Sequence, residues 1–489
     1  MDAGVWQVLP DEPASGLGVE THGTRNFAVA FGGAHSDHSA ALHVQPPLTG
    51  IGTDRTDDGQ VSAGDCGPSA TPRGPWARLG AGLVTGASDD DPSGIATYAQ
   101  AGAAFGYTLG WTLLLTYPLM VVVQEICARI GRVTGEGIAG NLRKHYPRGV
   151  LQIIVALVLI ANTLNLGADL GAMGEAMRLL LPQAPAWIWV LFLGLLCTVT
   201  QMVLSHERYV RVLKWMTLAV LSYFLVLFVV RLPWADVLRG LVLPGWPRTR
   251  DAWLMIIAIL GTTISPYLFF WQATQEAEDT KAHPLRAPLK RKPTQGPAAL
   301  ARIRFDTLLG MAISNLVGLA ILVTTAATLP SAGITQISTA AQAARALRPL
   351  AGDLAFALFA FGIVGTGLLA VPVLAGSAAY ALGEARHWPV GLSRKLHQAK
   401  AFYATIAMAT LLGALTNVFT VNPMKALVWA AVINGVVAVP IMALLMRMAV
   451  NQKVMGSFRV STAGSVLGWT ATAVMAAAGV GWLIAALQR

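Results

Sequence analysis

The sequence predicts an all-α polytopic membrane protein of eleven transmembrane helices, built as two five-helix inverted repeats whose first and sixth helices are broken. Three observations carry this expectation. The chain is 54% apolar and only 12% charged, about half the roughly 25% charge of soluble domains. Its apolar runs repeatedly reach the roughly 20 residues that cross a bilayer. Prolines interrupt two of those runs, five spans apart, each beside small polar residues.

Residues 1–75 stand apart from the rest. They are rich in Gly, Ser, Thr, Asp and His, lack apolar periodicity, and lack the basic start and apolar core of a secretory signal. A disordered cytoplasmic extension is expected. The irregular spacing of His22, His35, His38 and His43 reads as a solvated tail rather than a metal-binding tract.

Residues 76–489 are expected to form the membrane domain. Spans are read at 79–105, 108–128, 150–180, 186–204, 209–230, 253–277, 305–329, 353–383, 401–418, 423–448 and 465–486. The repeats then cover about 79–231 and 252–450, with 465–486 as an extra helix. With the N-terminus inside, the inner loops collect 22 Lys and Arg residues and the outer side nine. The positive-inside rule therefore predicts a multi-pass inner-membrane protein with a cytoplasmic N-terminus and an external C-terminus. It also accounts for the net charge of +10 without invoking nucleic acid.

The first break reads Asp89-Asp90-Asp91-Pro92-Ser93-Gly94. Pro92 removes a backbone donor and must interrupt the helix. Carboxylates at bilayer depth are costly and persist where they face a cavity, a partner or an ion. The sixth span carries Thr262-Thr263-Ile264-Ser265-Pro266-Tyr267. An odd repeat length inverts the second copy, so Pro92 and Pro266 are expected to face each other. Asp91 is the candidate charged ligand, opposed by the carbonyl of Thr262 or Thr263 and the hydroxyl of Ser265. Asp90 is expected along the entry route, and Asp89 as a helix cap. Such an all-oxygen set suits Mg²⁺, Ca²⁺ or Mn²⁺ better than copper or zinc, with Na⁺ also open.

Other chemistries find little support. Cys66, Cys127 and Cys197 show no metal or disulfide spacing. There is no Walker-type glycine loop, no intramembrane His pair and no GxGD context for an aspartyl protease. No enzyme and no cofactor is expected. Glu125 and Glu175 are expected to pair with Arg129 and Arg178 one turn away. Gln100, Thr97 and Tyr98 are candidates to line the outer vestibule, Gly365, Thr366, Gly367, Gly376 and Ser377 read as close helix packing, and Asp306 as a cap at the start of the seventh span.

Six stretches together resemble the natural resistance-associated macrophage protein (Nramp) family of divalent-metal transporters. They are DDDPSGIATY at 89–98, QEICARIGRVTGEGIAG at 124–140, NTLNLGADLGAMGEA at 162–176, FDTLLGMAISN at 305–315, TTAATLP at 324–330 and LLAVPVLAGSAAYALGE at 368–384. The resemblance covers about 76–486 and implies a LeuT-like inverted-repeat fold plus an eleventh helix. It implies a divalent cation as substrate and alternating access in the bilayer. A monomer is expected, with the oligomeric state open.

The chain also departs from the family pattern. Against the family's Asp-Pro-Gly-Asn it has Asp91, Pro92, Ser93 and Gly94, so the asparagine ligand is replaced by Gly94. Ser265 stands where the family has a methionine, Tyr267 where it has a histidine, and Gln272 at a second histidine position. Loss of the soft sulfur ligand points to a harder ion, as in Nramp-related magnesium transporters. Asn434 matches a family glutamine that reaches the metal or its water. Asp169 matches an aspartate of the family's proton network, but Ala172 occupies the neighbouring glutamate position and span 401–418 holds no arginine. Weak or absent proton coupling is the expectation. The rival reading is a same-fold carrier of amino acids or organic cations, possibly Na⁺-coupled. Three aspartates at the break would repel an amino acid's carboxylate.

Overall fold

The computed structural model describes residues 80–203, 222–418 and 422–487. The expectations for residues 1–75, for most of span 209–230 and for the loop bearing Arg208, Arg211 and Lys214 lie outside the described residues. The chain divides into Met1–Ser69 and Ala70–Arg489, and all that follows concerns the second unit. Among the described residues every regular element is helical.

The first span is two helices, α1 (Ala81–Asp89) and α2 (Pro92–Phe105). After it come α3 (Gly110–Thr134), α4 (Ile138–His145), α5 (Arg148–Leu180), α6 (Ala186–Val203), α7 (Ser222–Val229) and α8 (Trp234–Val242). The sixth span is again two helices, α9 (Arg250–Thr263) and α10 (Pro266–Ala282). The second half continues with α11 (Gly296–Thr328), α12 (Ala355–Arg386), α13 (Lys400–Thr416), α14 (Pro423–Val450) and α15 (Thr462–Leu487). Eight stretches among the described residues are long and apolar enough to cross a membrane, and α13 is a shorter apolar helix.

Several expected boundaries move. Helix α11 begins at Gly296, nine residues before the expected 305, because GPAALARIRF continues the helix on its polar side. Arg302 and Arg304 are therefore helical rather than in a loop, and Asp306 lies well inside the helix rather than at its start. The sixth span likewise runs to Ala282 instead of 277.

At both breaks a proline opens the following helix, at the first position, where its missing N–H costs no hydrogen bond, whereas Pro118, Pro372 and Pro440 lie inside continuous helices. At the first, Asp91 is extended (φ −70°, ψ 169°) and its side chain caps α2, accepting from the Gly94 N–H at 2.7 Å. At the second, Ser265 is extended and its hydroxyl turns back, within donating distance of the carbonyls of Gly261 (2.7 Å) and Thr262 (2.8 Å). One break thus satisfies the orphan donors of the following helix, and the other the orphan acceptors of the preceding one.

The broken helices lie at the centre. Helices α1 and α2 pack on α11, α9 packs on α14, and α10 packs on α3. Gly86 and Gly310 bring α1 and α11 into backbone contact: a Cβ at Gly86 would lie 2.3 Å from the Gly310 carbonyl oxygen. Gly261 does the same for α9 against α14, where a Cβ would meet the Ala431 oxygen at 2.1 Å. Small residues permit such approaches where lipid supplies no hydrophobic drive between helices. Gly367 and Gly376 on α12 seat Met173 and Trp271, in line with their close-packing role. Helices α6 and α15 sit at the periphery, exposing Trp187, Phe192, Leu195, Leu483 and Ile484.

Candidate functional site

Asp91 is buried at the first break, and its carboxylate is already surrounded by donors. Beyond the Gly94 amide on Oδ1, Oδ2 accepts from Asn165 Nδ2 on α5 at 3.1 Å and from the Tyr267 hydroxyl on α10 at 3.2 Å. Tyr267 also lies 2.9 Å from the Ser88 carbonyl at the end of α1. The two breaks are therefore joined side chain to side chain, through Tyr267 rather than Ser265. Asn434 Nδ2 on α14 reaches Asn165 Oδ1 at 3.4 Å, and its own Oδ1 is buried without a partner. A polar chain runs Asn434–Asn165–Asp91–Tyr267 across α14, α5, the first break and α10.

The remaining expected residues divide into groups. Thr262 lies close to Gly94, where an added Cβ would come within 3.2 Å of the threonine hydroxyl. Thr263 donates to the Ile259 and Leu260 carbonyls of its own helix at 2.9 and 3.2 Å. Ser265 is likewise engaged with Gly261 and Thr262 rather than Asp91. Gln272 accepts from the Thr85 hydroxyl, tying α10 to α1 one level towards the α1 N-terminus. Asp169 lies on α5 one turn beyond Asn165, fully buried, with both carboxylate oxygens lacking a hydrogen-bond partner. Among the described residues it forms no ion pair.

Two expectations for acidic residues are corrected. Asp89 does not cap a helix: Asp91 is the cap of α2, and Asp89 Oδ2 instead accepts from Ser314 Oγ on α11 at 2.6 Å. Asp90 shares that hydroxyl at 3.2 Å. Asp306 does cap, but it caps α1 rather than its own helix. Its carboxylate accepts from the N–H groups of Gly80 (2.9 Å), Gly82 (2.7 Å) and Leu83 (3.2 Å), because α11 starts earlier and carries Asp306 alongside α1.

Glu125 and Glu175 pair with Arg129 and Arg178 at 2.9 and 3.2 Å. Gln100 ties α2 to the 335–337 loop, accepting from Ile337 N–H at 2.7 Å, while Thr97 and Tyr98 are buried. Sequence reasoning missed Asn165 and Ser314. Asn165 had a signal in its i, i+4 spacing to Asp169, which puts both on one face of α5. Ser314 had none stronger than a polar pair with Asn315 in an apolar span.

Chemically, the break offers one carboxylate in direct contact with amide, phenol and backbone groups. Among the described residues no three His, Cys, Asp or Glu side chains converge on a common point. A cation held here would take its remaining ligands from neutral oxygens or water, an oxygen-rich shell that suits hard ions.

The comparisons agree with this architecture. The family model described as "Natural resistance-associated macrophage protein-like" matches residues 82–485. A divalent metal cation transporter MntH of Klebsiella pneumoniae (strain 342) is 27% identical over 420 residues, covering 83% of this chain and 94% of that protein. One from Aeromonas hydrophila is 28% identical over 344 residues, covering 68% and 79%. A crystal structure of the Eremococcus coleocola manganese transporter, bound to an aromatic bis-isothiourea compound, superposes with a TM-score of 0.68 at 16% identity, covering 84% of this chain and 88% of that one. That likeness establishes a shared fold. These relatives are transporters rather than enzymes. The chain is a member of the natural resistance-associated macrophage protein family.

Proposed function

We propose that the chain is a transmembrane carrier of divalent metal cations, with Mg²⁺ or Mn²⁺ favoured over soft transition metals. The observation that carries the reading is Asp91, a buried carboxylate at one helix break in direct contact with Tyr267 of the other. Asp91 supplies the charge. Thr262 and Asn434 supply neutral oxygens, and Ser265 adds only a lone pair, its proton staying on a carbonyl of its own helix, with Tyr267, Asn165 and Gln272 around them. The absence of methionine and histidine at 265 and 267 supports a harder ion. Related proteins that carry divalent metals support the substrate class.

In this reading eleven spans form inverted repeats over about 79–231 and 252–450, with a cytoplasmic N-terminus in the inner membrane. Rocking of the bundle that holds both breaks gives alternating access. Cation entry exchanges the Asn165 and Tyr267 hydrogen bonds of Asp91 for metal coordination. Proton coupling is weak, since Asp169 has no basic partner among the described residues and Ala172 replaces the second acid.

The test is uptake into proteoliposomes of Mg²⁺, Mn²⁺, Ca²⁺ and Na⁺ at equal driving force, with and without an inward proton gradient. Gradient-independent Mg²⁺ or Mn²⁺ uptake that disappears in Asp91→Ala is expected. Intact transport in that variant overturns the role of Asp91, and metal-driven acidification of the lumen overturns weak coupling.

A further inference from the structure

The opposite face of the same break holds a second concentration of acid that the Asp91 site does not use. Asp91 turns towards α5 and α10, whereas Asp89 and Asp90 turn towards α11. Both are buried, at 0% and 7% exposure, yet neither takes part in an ion pair among the described residues. Oδ2 of Asp89 and Oδ1 of Asp90 converge on the one hydroxyl of Ser314, at 2.6 and 3.2 Å. A hydroxyl has a single proton, so it can serve only one of them at a time. The two acids therefore compete for one donor.

An independent group lies next to this place on the same face of α11. Tyr98 on α2 is buried, and its hydroxyl has no hydrogen-bond partner. Its ring lies on Gly318 of α11, where a Cβ would come within 2.8 Å of the ring, one helical turn from Ser314. Helical side chains lean towards their own N-terminus, which for Tyr98 is the break. Asp89 Oδ1 is also buried and unpartnered. Buried phenols and carboxylates are normally satisfied, so an idle Asp89 oxygen at a shared hydroxyl, with an idle phenol against Gly318 one turn along α11, describes an incomplete coordination shell.

We infer that Asp89, Asp90, Ser314 and Tyr98 form a second site for a divalent cation, back to back with Asp91 across the first break. The oxygen-only donor set suits Mg²⁺ or Mn²⁺ retaining several waters. A doubly charged ion balances both carboxylates, which a monovalent ion cannot. The inference rests on the reading of Asp91 as a substrate ligand, and adds that a second ion occupies the break from the α11 side.

The experiment is equilibrium binding of Mn²⁺ to the purified full-length protein, with free Mn²⁺ followed by electron paramagnetic resonance. Two ions per chain are expected, both displaced by excess Mg²⁺. Asp91→Asn should remove one and Asp89→Asn/Asp90→Asn the other. Ser314→Ala, a mild change should the double variant not fold, should weaken one of the two ions by about tenfold, the loss of one hydroxyl ligand. One ion per chain, lost in Asp91→Asn and kept at unchanged affinity in Ser314→Ala and the double variant, overturns the second site alone. No ion bound by the wild-type chain overturns both readings. Two ions retained by Asp89→Asn/Asp90→Asn places the second site elsewhere and overturns this assignment.

Discussion

The clasp between Asp306 and the start of α1 has a cost that can be worked out in advance. Helix α1 has nine residues, too few to be stable in isolation, so its position depends on what holds it. Its own N-cap, Gly80, offers no side chain, and the Asp306 carboxylate fills that role from α11 with three N–H bonds at 2.7 to 3.2 Å. Loss of a side-chain cap costs about 1 kcal/mol. A negative charge at a partly buried helix N-terminus adds up to about 2 kcal/mol. Asp306→Ala should therefore destabilise the seated α1 by about 3 kcal/mol, roughly a hundredfold in the local opening equilibrium.

Hydrogen exchange read by mass spectrometry on the protein in lipid nanodiscs measures this directly. Amides of residues 81–89 should exchange about a hundredfold faster, while those of α5 and α14 keep their wild-type rates. Asp306→Asn, which keeps one acceptor oxygen, should fall between. Unchanged exchange over 81–89 would refute the clasp. A uniform acceleration across all helices would also refute it, because it would mean global rather than local loss of stability.

Three further outcomes follow from the packing. Glu276 is 1% exposed and bonded to Arg302 at 2.5 Å. Arg302→Met should cost about 3–5 kcal/mol by stranding that carboxylate, and adding Glu276→Gln should restore most of the thermal stability in detergent. A double variant as unstable as the single one would show that the loss is not electrostatic. Gly261→Ala forces a Cβ to 2.1 Å from the Ala431 oxygen, so the protein should lose its monodisperse peak in size-exclusion chromatography; wild-type behaviour would contradict the close α9–α14 contact. Tyr267→Phe removes a hydrogen bond that competes for Asp91 Oδ2. Metal binding should tighten about fivefold, from roughly 1 kcal/mol, and weaker binding would instead identify the phenol as a ligand.

Much of the site was legible because its elements carry strong local rules. Pro92 and Pro266 announce the breaks by standing beside small polar residues in apolar runs, unlike Pro118, Pro372 and Pro440 inside continuous helices, and Asp91 is marked by the cost of its charge. The pairings of Glu125 with Arg129 and Glu175 with Arg178 follow from helical spacing alone. Ser265 shows where this reasoning stops. Its composition suits a ligand, yet its hydroxyl turns to the carbonyls its own helix leaves orphaned, and a local acceptor is always within reach.

The sequence by itself determined the all-helical membrane architecture, the two proline breaks and the acid at the first of them, since these follow from transfer energy and backbone chemistry along one segment. Only the tertiary structure decided which groups meet there. Asn165 and Tyr267 at Asp91, Ser314 between Asp89 and Asp90, and Asp306 on the start of α1 lie 74 to 226 residues from their partners along the chain. Their meeting depends on how far each helix extends and on glycines such as Gly86 and Gly310 that set how closely helices approach. Local pattern does not encode that depth and rotation. The packed bundle does, because burying each polar group against a partner fixes both at once.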